Sequence, residues 1–230
     1  MCGRFQLSVK GKEISERFNT EVFDAFYKPN FNCAPTQRLP VIINSEARKL
    51  NFFQWGLVPS WAKDSRIGSK MINSRAETVA EKPAFRKAFA ARRCLVPANG
   101  FYEWKQGKVK VPYRFYLPDE PLFAMAGIWE NWYDGGGNVL QSFSILTTSA
   151  NALMQPVHHR MPVIISRRDE ALWLNATDQE VLLQLLKPFP EQLMRCHQVS
   201  NRVNNAGINE ESLVVPVPEF PNDLFEASPP

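Results

Sequence analysis

No stretch of this 230-residue chain stays apolar long enough to span a membrane. The N-terminus has no apolar segment of the secretory kind, and Arg4 interrupts the few apolar residues there. A cytoplasmic protein is therefore expected, nucleoid-associated if it binds DNA. Cysteine is sparse: Cys2, Cys33, Cys94 and Cys196 form no CxxC pair, which argues against a zinc ribbon or a thioredoxin-type centre. In a reducing compartment they are free thiols, and Cys33, Cys94 and Cys196, in apolar surroundings, read as small core residues. Only three histidines occur, and the adjacent His158 and His159 would point to opposite faces of a strand. With no second pair of ligands, neither a metal nor any other cofactor is expected. Charge of neither sign dominates: 27 basic against 23 acidic residues leave a net +4, compatible with an anionic partner without requiring one. Repeats and linkers are also missing, so residues 1–230 are expected to form one domain, a monomer, whose proline-rich tail (216–230) wraps the surface or stays disordered.

What the chain does contain is strands in the middle and helices on either side. Ile14, Phe18, Val22 and Phe26 repeat at helical spacing over Lys12–Tyr27. Further helices are expected over Glu81–Ala91, Arg167–Leu174 and Asp178–Leu186, the last capped by Thr177 or Asp178. Strand-like runs cover Leu39–Asn44, Leu50–Trp55, Cys94–Pro97, Gly100–Lys105, Val111–Tyr116, Leu122–Trp132, Leu140–Thr148, Pro162–Ile165 and Leu213–Val217. Gly107 and Gly135–Gly137 mark hairpin turns. There is no regular βαβ alternation, so the fold class is α+β with a mainly antiparallel sheet curling towards a barrel.

Chemistry concentrates in a few segments. Cys2 follows the initiator methionine; once Met1 is removed, it carries an α-amine and a thiol on adjacent carbons. Such a 1,2-aminothiol condenses with an aldehyde to an imine, and the thiol then closes a thiazolidine ring. Taken alone, Cys2 is better explained as a position under no chemical constraint. Asn32-Cys33-Ala34-Pro35 reads as an ordinary proline-limited loop. In Trp55–Trp61 the first tryptophan belongs to the core, whereas Trp61, before Lys63 and Arg66, suits either core packing or stacking on nucleobases. Asn73 and Arg75 lie in a polar stretch before a helix, where Asn73 could orient a reacting group and Arg75 hold a phosphate, or both could serve a capping loop. Glu103 shares a strand face with Phe101 and Lys105, with Tyr102 and Trp104 on the other. Desolvation among these aromatics would raise its pKa towards acid/base duty, the alternative being an edge-strand ion pair. His158 and Arg160 precede an apolar strand and offer a proton carrier and a bidentate anion ligand.

Together, MCGRF, NCAP, WGLVPSW, INSRAET, GFYEWK, HHRMPVII and Val199–Asn204, in this order over nearly the whole chain, resemble the SOS-response-associated peptidase (SRAP) family of abasic-site processing proteins. The resemblance implies a bifurcated sheet folded into a pseudo-barrel flanked by helices. It also implies a covalent sensor of abasic sites in single-stranded DNA. Carried over by motif, Cys2 matches the crosslinking nucleophile, Asn73 the positioning asparagine, Glu103 the catalytic glutamate and His158 the catalytic histidine. Arg4, Arg75, Arg160 and Thr147 match DNA-phosphate contacts, and Asn32, Pro35 and Trp61 match elements around the splayed DNA. Two departures are His159, where members often carry aspartate, and the single tryptophan closing WGLVPSW. The peptidase name would then describe release of the residue ahead of Cys2. Two competing readings share these residues. One is an N-terminal-nucleophile hydrolase of a small amide, with Cys2 as nucleophile, His158 as base and Asn73 as oxyanion donor. The other is a noncovalent reader of modified DNA.

Overall fold

The structure is a computed structural model, and the residues it describes are 2–21, 26–46 and 49–217. The chain runs through β1 (Arg4–Leu7), α1 (Gly11–Phe18), β2 (Asn30–Cys33), β3 (Arg38–Ile43), β4 (Asn51–Trp55), β5 (Asn73–Arg75), α2 (Arg86–Ala91), β6 (Arg93–Ala98), β7 (Gly100–Lys105) and β8 (Val111–Tyr116). It continues through β9 (Phe123–Tyr133), β10 (Val139–Ser149), β11 (Arg160–Pro162), β12 (Ile164–Ile165), α3 (Glu170–Asn175), α4 (Gln179–Gln184) and β13 (Arg195–Gln198). Gly100–Lys105 and Val111–Tyr116 have the bounds that their alternating pattern predicts.

Two long strands organise the architecture. β9 and β10 are 11 residues each and pair antiparallel from Tyr133↔Val139 to Gly127↔Ile145. Beyond that they splay, β9 pairing with β12 and β10 with β11, while β6 pairs along the other edge of β9 and β4 and β5 along the other edge of β10. The β10–β4–β3–β6–β9 pairings return to β10 and close a five-strand barrel, which removes the exposed edges an open sheet would leave. A second sheet, in the order β13-β8-β7-β1-β2, packs on it. Phe5 of β1 meets Trp55 of β4 edge to face at 5.2 Å, and Phe101 of β7 stacks on Phe115 at 5.3 Å. The fold is α+β, a mainly antiparallel bifurcated sheet closed into a pseudo-barrel.

Arg93 ties the helices to the barrel. Its guanidinium donates to the carbonyls of Phe89 and Ala90 at the end of α2, and of Trp173, Leu174 and Ala176 at the end of α3. Both helix C-termini present unpaired carbonyls and partial negative charge, so one cation satisfies both.

Several elements differ from expectation. Leu213–Val217 is no strand: Glu211–Val214 forms a 3-10 turn, with Leu213 fully buried against Tyr102, Val199 and Val203. The first helix ends at Phe18, where Asn19 takes a left-handed conformation (φ 49°); residues 22–25 of the expected span lie outside the described residues. The second begins only at Arg86, because Pro83 lacks a donor N–H and disfavours helical geometry at Lys82. Asp178 does cap α4, its side chain accepting from the Glu180 N–H at 2.8 Å. Four short strands, β1, β2, β5 and β13, had no sequence signal strong enough to find them. Cys33 and Cys94 are buried as expected, but Cys196 is half-exposed on β13. Of the tail, only Pro216 and Val217 fall within the described residues.

Candidate active site

The N-terminus enters the site by strand register. β1 pairs with β7 through Arg4↔Tyr102 and Phe5↔Phe101 in antiparallel order, so the residues before Arg4 run out alongside Glu103. Alternation along β7 turns Tyr102 towards Val199, Val203 and Leu213, and Phe101 towards the main core. Glu103, on the Phe101 side, is therefore carried inward and is 2% exposed. From the opposite direction, the distal half of β10 gathers two further elements. β5 pairs parallel to it through Ile145↔Asn73 and Thr147↔Arg75, and β11 antiparallel through Ser149↔Arg160. Asn73 thus reaches the N-terminus, where its Nδ2 donates to the Cys2 carbonyl at 2.8 Å. The result is a cleft of about 560 Å3, walled by Gly3, Arg4 and Pro35 on one side, Glu103, Trp104, Gln106 and Lys110 on another, and closed by His158 and Asn204.

Electrostatics in this cleft follow from burial. The Cys2 side chain is fully buried; desolvation, then the Glu103 charge, push its thiol well above the ordinary range. Desolvation likewise raises Glu103, opposed by the positive amino terminus. His158 is lowered, chiefly by desolvation and then by that same positive charge, so it is neutral near pH 7. Its Nδ1 faces both the Arg160 backbone N–H at 3.0 Å and the Arg160 carbonyl oxygen at 3.2 Å, which fixes the orientation of the ring. His159 stacks on it with ring centroids 4.4 Å apart. Among the described residues, no three His, Cys, Asp or Glu side chains gather as metal ligands would.

The remaining expected residues separate into three kinds. Arg160, 9% exposed, donates to both oxygens of Glu77 at 2.6 and 2.9 Å and to the Thr147 carbonyl at 2.5 Å. Thr147 is fully buried, and its hydroxyl faces the Ser74 carbonyl at 3.4 Å. Asn32 is 1% exposed, and its Nδ2 donates to the carbonyls of Val203, Asn205 and Ile208. It therefore fastens the C-terminal segment to β2 instead of standing in an open loop. Arg75 is exposed, and Trp61 is 59% exposed beside Lys63, Arg66 and Lys70 over a separate open cleft of about 710 Å3. The loop carrying Trp61 is fixed by a tight turn at Gly56 (φ +123°), where a Cβ would lie 2.5 Å from the Gly68 carbonyl oxygen. Sequence reasoning missed Glu77, Trp104 and Asn204. Glu77 stands two residues beyond Arg75, and an acidic residue there was the available signal. Trp104 and Asn204 meet only in three dimensions, Nε1 to Oδ1 at 2.7 Å.

A barrel flanked by a second sheet, with Cys2 held by Asn73 beside a cleft that Glu103 and His158 line, defines a class already described by one family. The model of the SOS response associated peptidase (SRAP) family matches residues 1–206, and the chain belongs to that family. Abasic site processing protein YoqW of Bacillus subtilis (strain 168) is 45% identical over 221 residues, covering 93% of this chain and 99% of that one. Abasic site processing protein HMCES of Xenopus tropicalis is 31% identical over 217 residues, covering 80% of this chain and 64% of its own length. The crystal structure of a protein from Bacteroides thetaiotaomicron superposes with a TM-score of 0.87 at 31% identity, covering 94% of this chain and 100% of that one.

Proposed function

We propose that this protein processes abasic sites in single-stranded DNA by linking its N-terminal Cys2, after loss of Met1, to the ring-opened sugar as a thiazolidine. The observation that carries this reading is the grip of Asn73 on the Cys2 carbonyl beside the cleft that Glu103 and His158 line. The relatives named as abasic site processing proteins support it.

The chemistry follows from the residues present. His158, neutral near pH 7, takes the proton of the C1′ hydroxyl as the C1′–O4′ bond breaks, and the imidazolium hands it to O4′, leaving the free aldehyde. Glu103, with its raised pKa, accepts a proton from the Cys2 ammonium, and the free amine adds to C1′. Glu103 then returns a proton to the carbinolamine hydroxyl, which leaves as water to give the imine. Because burial keeps the Cys2 thiol protonated, ring closure comes last: sulfur bonds to the imine carbon and its proton ends on the nitrogen. The net change is loss of one water. The same groups run backwards hydrolyse the linkage, and release of Met1 by self-cleavage would use the same cleft.

The deciding test incubates protein confirmed by mass to lack Met1 with an oligonucleotide carrying one abasic site. The expected product is a heat-stable adduct weighing protein plus DNA minus water, absent from Cys2→Ala. No adduct sinks the reading. The pH dependence adds a second check. Glu103 must be ionised to accept the first proton and its pKa is raised. Capture should therefore rise with pH through a midpoint above the ordinary glutamate value of about 4.3, and Glu103→Gln should remove that limb.

A further inference from the structure

The turn joining β7 to β8 presents Lys105, Lys108 and Lys110 within one short hairpin, all exposed. None of the three side chains makes a hydrogen bond or ion pair among the described residues, whereas Lys12 and Lys49 lie beside Glu16 and Glu46. No acidic residue occurs between Glu103 and Asp119, so nothing on the hairpin offsets their charge. At its tip Val109 is 69% exposed. The base of the hairpin is fixed by the ladder pairs Trp104↔Pro112 and Lys105↔Val111, and by Gln106 donating to the Trp104 carbonyl at 3.0 Å. Lys110 and Gln106 also wall the cleft that Glu103 and His158 line.

We propose that this hairpin is a finger that grips the DNA strand beside the lesion. Lys110 binds the phosphate at the cleft mouth, and Lys108 and Lys105 bind neighbouring phosphates of the same single strand. Val109 packs its apolar surface on a flanking base. The proposal rests on reading the cleft as a site for abasic single-stranded DNA. Strand geometry gives it a physical basis: Glu103 and Lys105 share β7, and Lys108 and Lys110 sit in the turn that the ladder ends on, so binding phosphate there holds the sugar near the carboxylate. Fixed cations of this kind act through counterion release, and their contribution is read in the salt dependence of binding.

The test compares wild-type protein with the triple variant Lys105→Gln, Lys108→Gln, Lys110→Gln, both confirmed to lack Met1. Three measurements are needed: affinity for undamaged single-stranded DNA across a salt series, capture of an abasic oligonucleotide at limiting DNA, and reaction of Cys2 with free 2-deoxyribose. Loss of three phosphate contacts should reduce the slope of log affinity against log salt by about 2. Affinity at low salt and capture should each fall at least tenfold, while the double variant Lys105→Gln, Lys108→Gln, which leaves the cleft wall intact, reacts with free 2-deoxyribose as wild type does. Equal slopes with adduct in both proteins would overturn the finger alone. A slowed free-sugar reaction in that double variant would overturn it too, by placing the lysines in the chemistry. Adduct in neither protein would remove the reading of the cleft, and the proposal with it.

Discussion

Arg93 and Arg160 are both nearly hidden, 3% and 9% exposed, yet they sit in opposite kinds of surroundings. Arg93 commits all five of its N–H donors to backbone carbonyls at two helix ends, and among the described residues it forms no ion pair with a carboxylate. Arg160 meets a half-exposed carboxylate and one carbonyl, and its Nε has no partner among the described residues. Burial alone therefore does not separate scaffold from site. The kind of partner does: Arg93's carbonyls are backbone groups of two helix ends that cannot move away, whereas the half-exposed carboxylate on Arg160 can give way to another anion. Exposed Arg75, on β5 across β10 from Arg160's strand, completes the series with no side-chain hydrogen bond or ion pair among the described residues.

The largest effect belongs to Arg93. Arg93→Ala strands five carbonyls in the interior, each costing about 1–3 kcal/mol when left unsatisfied, less what water entry and relaxation recover. A loss of at least about 4 kcal/mol is expected in urea unfolding, with capture per folded molecule unchanged. A loss below about 1 kcal/mol would show that the carbonyls find other partners and would dissolve the contrast. Glu77→Gln should do less to the fold and more to the DNA. The pair's carboxylate is half-exposed, so its stability contribution is screened to about 1 kcal/mol. Removing its charge leaves Arg160 unopposed, and affinity for undamaged single-stranded DNA should rise about threefold, with a steeper salt slope. Unchanged affinity in an anisotropy titration would mean that Arg160 serves the fold as Arg93 does.

How much of this was legible in the sequence divides along a similar line. Periodicity revealed Gly100–Lys105 and Val111–Tyr116, because a two-residue alternation is local information. It also put Glu103 and Phe101 on one face, and that placement is what buries the carboxylate. The strands carrying Cys2's neighbours and Asn73 were invisible, since β1 and β5 hold only four and three residues and exist through their partners. Asn32 read as a loop residue because its three acceptors lie more than 170 positions away. The hydrogen bond from Asn73 to Cys2 spans 71 positions, and only the family motifs linked the two beforehand. Arg160 was legible as an anion ligand, but its anion in the folded chain is Glu77, which no spacing rule pairs with it.

The smallest expected effect is at Arg75, and it tests the series most sharply because only one quantity should move. Its side chain is exposed and makes no hydrogen bond or ion pair among the described residues, so Arg75→Gln removes charge without uncovering any buried group. Stability should stay within about 0.5 kcal/mol of the parent. A phosphate contact on a single strand contributes about 0.7 to the slope of log affinity against log salt, so the variant's slope should fall by that amount and equally for all sequences. An unchanged slope would leave Arg75 a solvated surface residue. A stability loss above about 1 kcal/mol would instead move it towards Arg93, and the partners a guanidinium keeps would then no longer distinguish the binding surface from the scaffold.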